Sequence, residues 1–246
     1  MQSCCVLAHL AALLCLSLGG CGRVGFQLEA DGGPLPDAGP VTDAGPLAPS
    51  SFRDLCRFQS GSVIDNGVAV DREAGEAVSV SIGPGCATSM TWSTLAQASA
   101  LEPGTNRPIL GPARIFLAGG GPSTQDGLAY LETSQTPVRL QSFRSTYRLV
   151  DRSTGQTIAT FDASTFGDGH DVAVLQVALE PISRTFVLSV YGALGNGTTM
   201  AAWWFADRIA PGLPADSHRY YVVEWTDRNG DGAPDAGDSF VVHGSG

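Results

Sequence analysis

The chain has 246 residues, a formal net charge of −10 and no lysine, so all 14 of its cationic side chains are arginine. Binding to nucleic acid depends on phosphate neutralisation by basic groups, and 24 Asp and Glu against 14 Arg exclude that partner class. The residues beyond position 50 suffice for one large domain with a substantial core.

The chain opens with an apolar run, Val6 to Leu18, followed by Gly19, Gly20 and Cys21. Thirteen residues fall short of the roughly 20 that cross a bilayer as a helix, so residues 1–20 read as a leader removed on export. Cys4, Cys5 and Cys15 would leave with it. The Leu18-Gly19-Gly20-Cys21 ending resembles the lipobox of bacterial lipoproteins. The resemblance implies cleavage before Cys21, lipid on its new N-terminus, and a membrane partner reached through that lipid. One acyl chain anchors only marginally, at about 0.8 kcal/mol per buried methylene, so several chains on one cysteine are implied. Gly22, standing where some inner-membrane lipoproteins carry Asp, points to the outer membrane of a Gram-negative cell.

Residues 21–50 read as anchor and linker. The stretch EADGGPLPDAGPVTDAGPLAPS, 29 to 50, repeats Asp-Ala-Gly-Pro at 37–40 and 43–46. It has too little apolar surface to offset chain entropy and is expected to be a disordered tether. Such a spacer reaches on the order of 30 Å as a coil and about 90 Å when extended.

From 51 to 246, short runs rich in Val, Thr, Tyr, Phe and Leu recur between turn signals, which predicts an all-β domain. Strands are expected at Ala77–Ile82, Ala113–Ala118, Leu128–Glu132, Ser145–Val150, Thr157–Phe161, Asp171–Leu179, Thr185–Tyr191, Thr198–Phe205, His218–Thr226 and Ser239–His243. Asn66-Gly67 and Asn196-Gly197 suit tight hairpins, and Ser153-Thr154-Gly155 joins two further strands. Thr91 to Leu101 fits either helical spacing or alternation. A two-sheet antiparallel β-sandwich is the predicted architecture, as one domain with GGGPSTQDG (119–127) its weakest point. Cys56 and Cys86, the remaining cysteines of the mature domain, read as a disulfide in an oxidising compartment, with two buried thiols or a catalytic thiol with a His partner as the alternatives.

Between the last two predicted strands lies DRNGDGAPDAGD, residues 227–238, with oxygen-bearing side chains at positions 1, 3, 5, 9 and 12 and glycine at 6. Calcium takes six to eight oxygens, and this spacing wraps a twelve-residue turn around one ion. The loop resembles those of EF-hands, dockerins and thrombospondin type 3 repeats. The resemblance implies calcium as cofactor, side-chain ligands from Asp227, Asn229, Asp231 and Asp238, a carbonyl from Ala233, and Asp235 binding directly or through water. Asp238 stands where an EF-hand has a bidentate Glu, which implies weaker binding, and a solvated acidic hairpin loop is the competing explanation of the same residues.

No G-x-S-x-G elbow, H-E-x-x-H pair or Cys-x-x-Cys cluster is present, and the chain is not expected to be an enzyme. His170, bracketed by Asp168 and Asp171, is the one candidate general base or metal ligand, although a polar turn before a strand explains it as well. His243 lies near the terminus and receives no role. Trp203-Trp204-Phe205 with Tyr220, Tyr221 and Trp225 concentrate aromatics late in the chain. Trp204 and Tyr221 are candidates to stack on a carbohydrate or contact a protein ligand, with core packing the competing explanation. A tethered, calcium-stabilised binding or adhesive module is the leading expectation, ahead of a structural envelope protein and a secreted hydrolase. The sequence leaves the oligomeric state open.

Overall fold

A computed structural model describes residues 50–246, apart from 113, 144 and 168 and the side chain of Phe143. The expected leader, Cys21 anchor and tether as far as residue 49 lie outside the described residues. No described helix is long and apolar enough to cross a membrane.

After a 3-10 helix at Phe52–Arg57, β1 (Ser60–Asp65), α1 (Ala69–Gly85) and β2 (Thr91–Ala96) form a crossover unit in which β2 runs parallel to β1. A four-residue helix α2 (Gln97–Ala100) precedes β3 (Ile115–Gly119), which pairs in parallel with the other edge of β1. Then α3 (Asp126–Glu132) leads into a separate antiparallel sheet of β4 (Val138–Phe143), β5 (Thr146–Asp151) and β6 (Thr157–Asp162). The chain returns as β7 (His170–Leu179) and β8 (Phe186–Gly192), α4 (Gly195–Trp204), a π and a 3-10 turn, β9 (Tyr220–Thr226) and β10 (Ser239–Ser245). The large sheet has the order β10-β9-β7-β8-β3-β1-β2.

The expectation of a β-rich domain with two sheets holds, but that of a purely antiparallel sandwich does not. Strands β2, β1, β3 and β8 run parallel, and only β7, β9 and β10 add antiparallel pairing. Parallel neighbours need crossover connections, and helices supply them. Three predicted strands are helices: Ala77–Ile82 lies inside α1, Leu128–Glu132 inside α3, and Thr198–Phe205 in α4 and the turn after it. In α1 the buried residues Asp71, Ala74, Gly75, Val78, Ser79, Ile82 and Gly83 follow helical spacing, which alternation across 77–82 alone conceals.

Both faces of the large sheet are covered. On one face Val63, Ile115, Leu117, Leu175, Val177, Leu188 and Trp225 pack with Val78 and Ile82 of α1 and Met200 and Ala201 of α4. On the other, Val172, Val174 and Val222 meet Val138, Leu149 and Phe161 of the small sheet, while Ile64, Phe116 and Val187 meet Leu131 of α3 and Ala100 of α2. Side chains of β7 alternate between the two layers, Leu175 and Val177 on the helix side and Val172 and Val174 on the other. The Ser153-Thr154-Gly155 turn joins β5 to β6, with Gly155 at φ +69°. Asn66-Gly67 instead turns β1 into α1, and Asn196-Gly197 forms the first turn of α4.

The disulfide forms as expected: Cys56 and Cys86 are bonded, their Cα atoms 5.2 Å apart. It ties the 3-10 helix to the end of α1 across a separation of 30 residues, which the chain-entropy model values at roughly 3 to 4 kcal/mol.

Asp171 sits in β7 with no solvent exposure. Its carboxylate accepts hydrogen bonds from the backbone N–H of Val172 (2.8 Å), Leu194 (3.0 Å) and Gly197 (2.6 Å), so a strand residue caps α4. Gly197 is obligatory there, because a Cβ would come within 2.6 Å of the Asp171 carboxyl carbon. Burial raises the Asp171 pKa, and the backbone donors only partly offset it.

Candidate functional site

The acidic loop 227–238 connects β9 to β10 as expected. Gly230 and Gly232 adopt φ +76°, which lets successive backbone N–H groups turn inward. Asp227 accepts from Gly230 (2.6 Å) and Gly232 (2.8 Å), and Asp231 accepts from Ala233 (2.8 Å). The Asn229 amide nitrogen lies 3.0 Å from Asp231 Oδ2 and 3.1 Å from Asp235 Oδ2. Two carboxylates that would repel each other therefore share one partially positive donor.

Asp238 points elsewhere. It accepts from the Trp225 indole (2.8 Å) and from the backbone of Arg228 (3.1 Å) and Asp235 (3.1 Å). Desolvation opposes its charge, but these hydrogen bonds outweigh it and lower the pKa. The loop's oxygen chemistry suits a hard cation, while its arrangement fits in part. Asp231 and Asp235 converge, and Asp238 would have to release Trp225. Among the described residues no three His, Cys, Asp or Glu side chains form a ready-made metal cage.

Trp204 and Tyr221 are both half-buried and packed against the helix-side core. Phe240 stacks on Trp203 at 4.9 Å and tilts onto Trp204 at 5.2 Å, and the Arg208 guanidinium covers both indoles at 5.9 and 6.0 Å. The Tyr221 ring lies 5.4 Å from Phe52, and its hydroxyl donates to Asp216 (2.9 Å), with His218 Nδ1 also 2.8 Å away. Burial and Asp216 together raise the Tyr221 pKa far above the usual phenol value. These contacts give both residues packing partners within the domain.

His170 is not paired with the carboxylates that bracket it in sequence. Asp171 turns inward to cap α4, and Asp168 lies outside the described residues. Its partner is Glu224, from β9: His170 Nε2 lies 2.8 Å from Glu224 Oε1, and His243 Nε2, from β10, lies 2.7 Å from Oε2. His170 Nδ1 meets the Thr165 carbonyl at 2.7 Å. Both ring nitrogens of His170 thus face acceptors, which requires the imidazolium. Desolvation opposes that charge, but Glu224 and the Thr165 carbonyl outweigh it and raise the pKa. Desolvation likewise pushes Glu224 up, and the two histidines reverse it, leaving its pKa lowered.

Phe166 packs on the His170 ring at 5.7 Å and Phe161 on His243 at 5.2 Å. Neither histidine bonds a Ser, Thr or Cys side chain among the described residues, so no nucleophile is positioned for proton relay. Sequence reasoning missed Glu224 and His243 because register alone assembles the cluster. Val172 lies opposite Glu224 on β7, and a bulge on β10 at His243 brings that ring to the same carboxylate.

A comparison of the chain with protein-family models finds no match, and neither does a comparison with curated proteins.

Proposed function

We propose that this chain is a lipid-anchored extracytoplasmic protein of a bacterial envelope whose β-rich domain serves as a binding or adhesive module, with the 227–238 loop stabilised by calcium. The observation that carries the extracytoplasmic half of this reading is the Cys56–Cys86 disulfide. Bridges of this kind persist in oxidising compartments, which agrees with the lipobox-like leader. Support for calcium is the convergence of Asp231 and Asp235 on Asn229. When bound, the ion would neutralise those carboxylates, with Asp227 and the Ala233 carbonyl close in sequence to complete the oxygen set.

Extracellular calcium modules bind at about 0.1 to 1 mM, so about 5 mM calcium should add roughly 1 to 2 kcal/mol. Melting of the purified chain, followed with about 5 mM calcium and with chelator, should shift upward by a few degrees. Asp231→Ala should abolish the increment. A variant that keeps the full increment removes this loop as the site.

A further inference from the structure

Arg139, Arg144, Arg148 and Arg152 crowd one short stretch of an otherwise acidic chain, where Asp151 is the only carboxylate. Arg144 lies outside the described residues. The other three converge on the small sheet. Val138, Leu140 and Leu149 point into the core, so strand alternation sends Arg139 and Arg148 to the outer face. Cross-strand pairing sets Val150 opposite Arg139 and Gln141 opposite Arg148. Arg139, Arg148, Arg152 and Asp151 line a concavity of about 310 Å³ on this face.

The charge there is only partly compensated, with one carboxylate, Asp151, against three guanidiniums on the face. None of the ion pairs among the described residues involves these three arginines. Asp151 is committed to other donors: Oδ1 accepts from Ser153 N (2.8 Å) and Thr154 N (3.1 Å), and Oδ2 from the Tyr220 hydroxyl (3.2 Å). Glu132 lies close enough to feel Arg152 and Arg139, yet burial pushes its pKa up to about 7, so it is only partly charged at neutral pH. Arg139 in turn adds to the effect of burial in disfavouring the charge on Arg152.

The three guanidiniums differ in freedom. Arg152 is locked, donating to the carbonyls of Thr136 (2.7 Å), Thr133 (3.2 Å) and Glu132 at the end of α3. Arg148 donates from Nε to Thr157 Oγ1 at 2.8 Å, which orients the group, and its terminal nitrogens have no hydrogen bond among the described residues. Arg139 has no side-chain hydrogen bond among the described residues. Two exposed forks on adjacent strands, backed by a fixed third charge, suit an anion with more oxygens than a planar carboxylate can offer.

We propose that the outer face of the small sheet is a binding site for a phosphate monoester, held by the forks of Arg139 and Arg148 against the fixed charge of Arg152. The concavity is of the size that takes a small organic ligand, so a sugar-sized group fits beside the phosphate. This inference rests on the reading of the domain as a binding module and specifies its ligand chemistry.

The test is calorimetric titration of the full chain with glucose 6-phosphate, inorganic phosphate and glucose. Saturable binding of glucose 6-phosphate, competed by inorganic phosphate and absent with glucose, is expected. The Arg139→Gln/Arg148→Gln double variant should bind at least tenfold more weakly at an unchanged melting temperature, while Arg53→Gln, at another exposed arginine, should bind as the parent does. Absence of saturable heat, or equal loss in the Arg53 variant, overturns the site. Calcium stabilisation is read by melting and phosphate by titration, so failure of one leaves the other standing.

Discussion

The two faces of the large sheet are sealed by different chemistry. Toward α1 and α4 the contact is largely apolar, reinforced by the disulfide and by the buried carboxylate of Asp171, whose partners are backbone N–H groups. Toward the small sheet, ionisable side chains bond each other across the layers. Tyr191 donates to Glu132 of α3 (2.6 Å), whose other oxygen accepts from the Leu140 N–H of the small sheet (3.3 Å), and Tyr220 donates to Asp151 of the small sheet (3.2 Å), while at the rim Glu224 holds His170 and His243 within the large sheet. Apolar contacts and backbone donors do not titrate near neutrality, whereas Glu132 and His170 do. The attachment of the small sheet should therefore respond to pH near neutrality, and on the helix side burial also raises the pKa of Asp171.

The most disruptive way to probe the helix side is Asp171→Ala. The substitution leaves three buried N–H groups without an acceptor and uncaps α4. Partial relief of the cost of burying a carboxylate offsets this, for a net loss of about 3 kcal/mol. Thermal melting should fall by about 10 °C in a domain of this size. A drop of a degree or less would show that α4 does not depend on the strand-borne cap.

On the other face, Glu132→Gln isolates the titrating interlayer bond. Glu132 is held at about 7 in the folded protein against an ordinary value of 4.5, chiefly by desolvation. Its folded pKa is raised, so its contribution is fully present below 4.5 and is lost as pH climbs through about 7. The parent should lose on the order of 3 kcal/mol across that interval from this group alone. A glutamine side chain at this position keeps the shape and has no proton to lose, so the variant should melt several degrees above the parent at about pH 8 and close to it at about pH 4. Parallel melting curves across the range would place the titration elsewhere.

The same division explains which elements could be read from sequence. β7 and β8 are buried on both faces and consist of unbroken apolar alternation, so they stand out, as do β5, β6 and β9. β1 does not, because Ser60-Gly61-Ser62 carries no bulk. Gly61 lies beneath the Trp92 ring, where a Cβ would approach to 2.2 Å, so the apolar mass of that strand pair resides in its neighbour. The helices were hidden by their composition. Thr198, Thr199, Trp203 and Trp204 favour strands locally, and only the tertiary cap from Asp171 starts a helix there. In the candidate sites, contiguous features such as the 227–238 loop and the cysteine pair were visible. The His170–Glu224–His243 cluster and the arginine face depend on strand register and on which side of a sheet is exposed, which no local pattern encodes.

The smallest expected effect comes from the rim of the strand-side contact. His170 has a raised pKa, so its contribution is present below the ordinary value of 6.5 and is lost as pH rises through the raised value. Glu224 has a lowered pKa, so its part is present above 4.5 and is lost as pH falls through the lowered value. The pair is therefore strongest between 4.5 and 6.5. The side chains are 24 and 25% exposed, and the pair is worth about 1 kcal/mol or less. His170→Gln should accordingly lower the melting temperature by a degree or two at about pH 5.5 and by less at about pH 8.5, with His243 still holding the other Glu224 oxygen. An equal loss at both pH values would mean that ring packing on Phe166, not charge, is what His170 supplies to this edge of the interface.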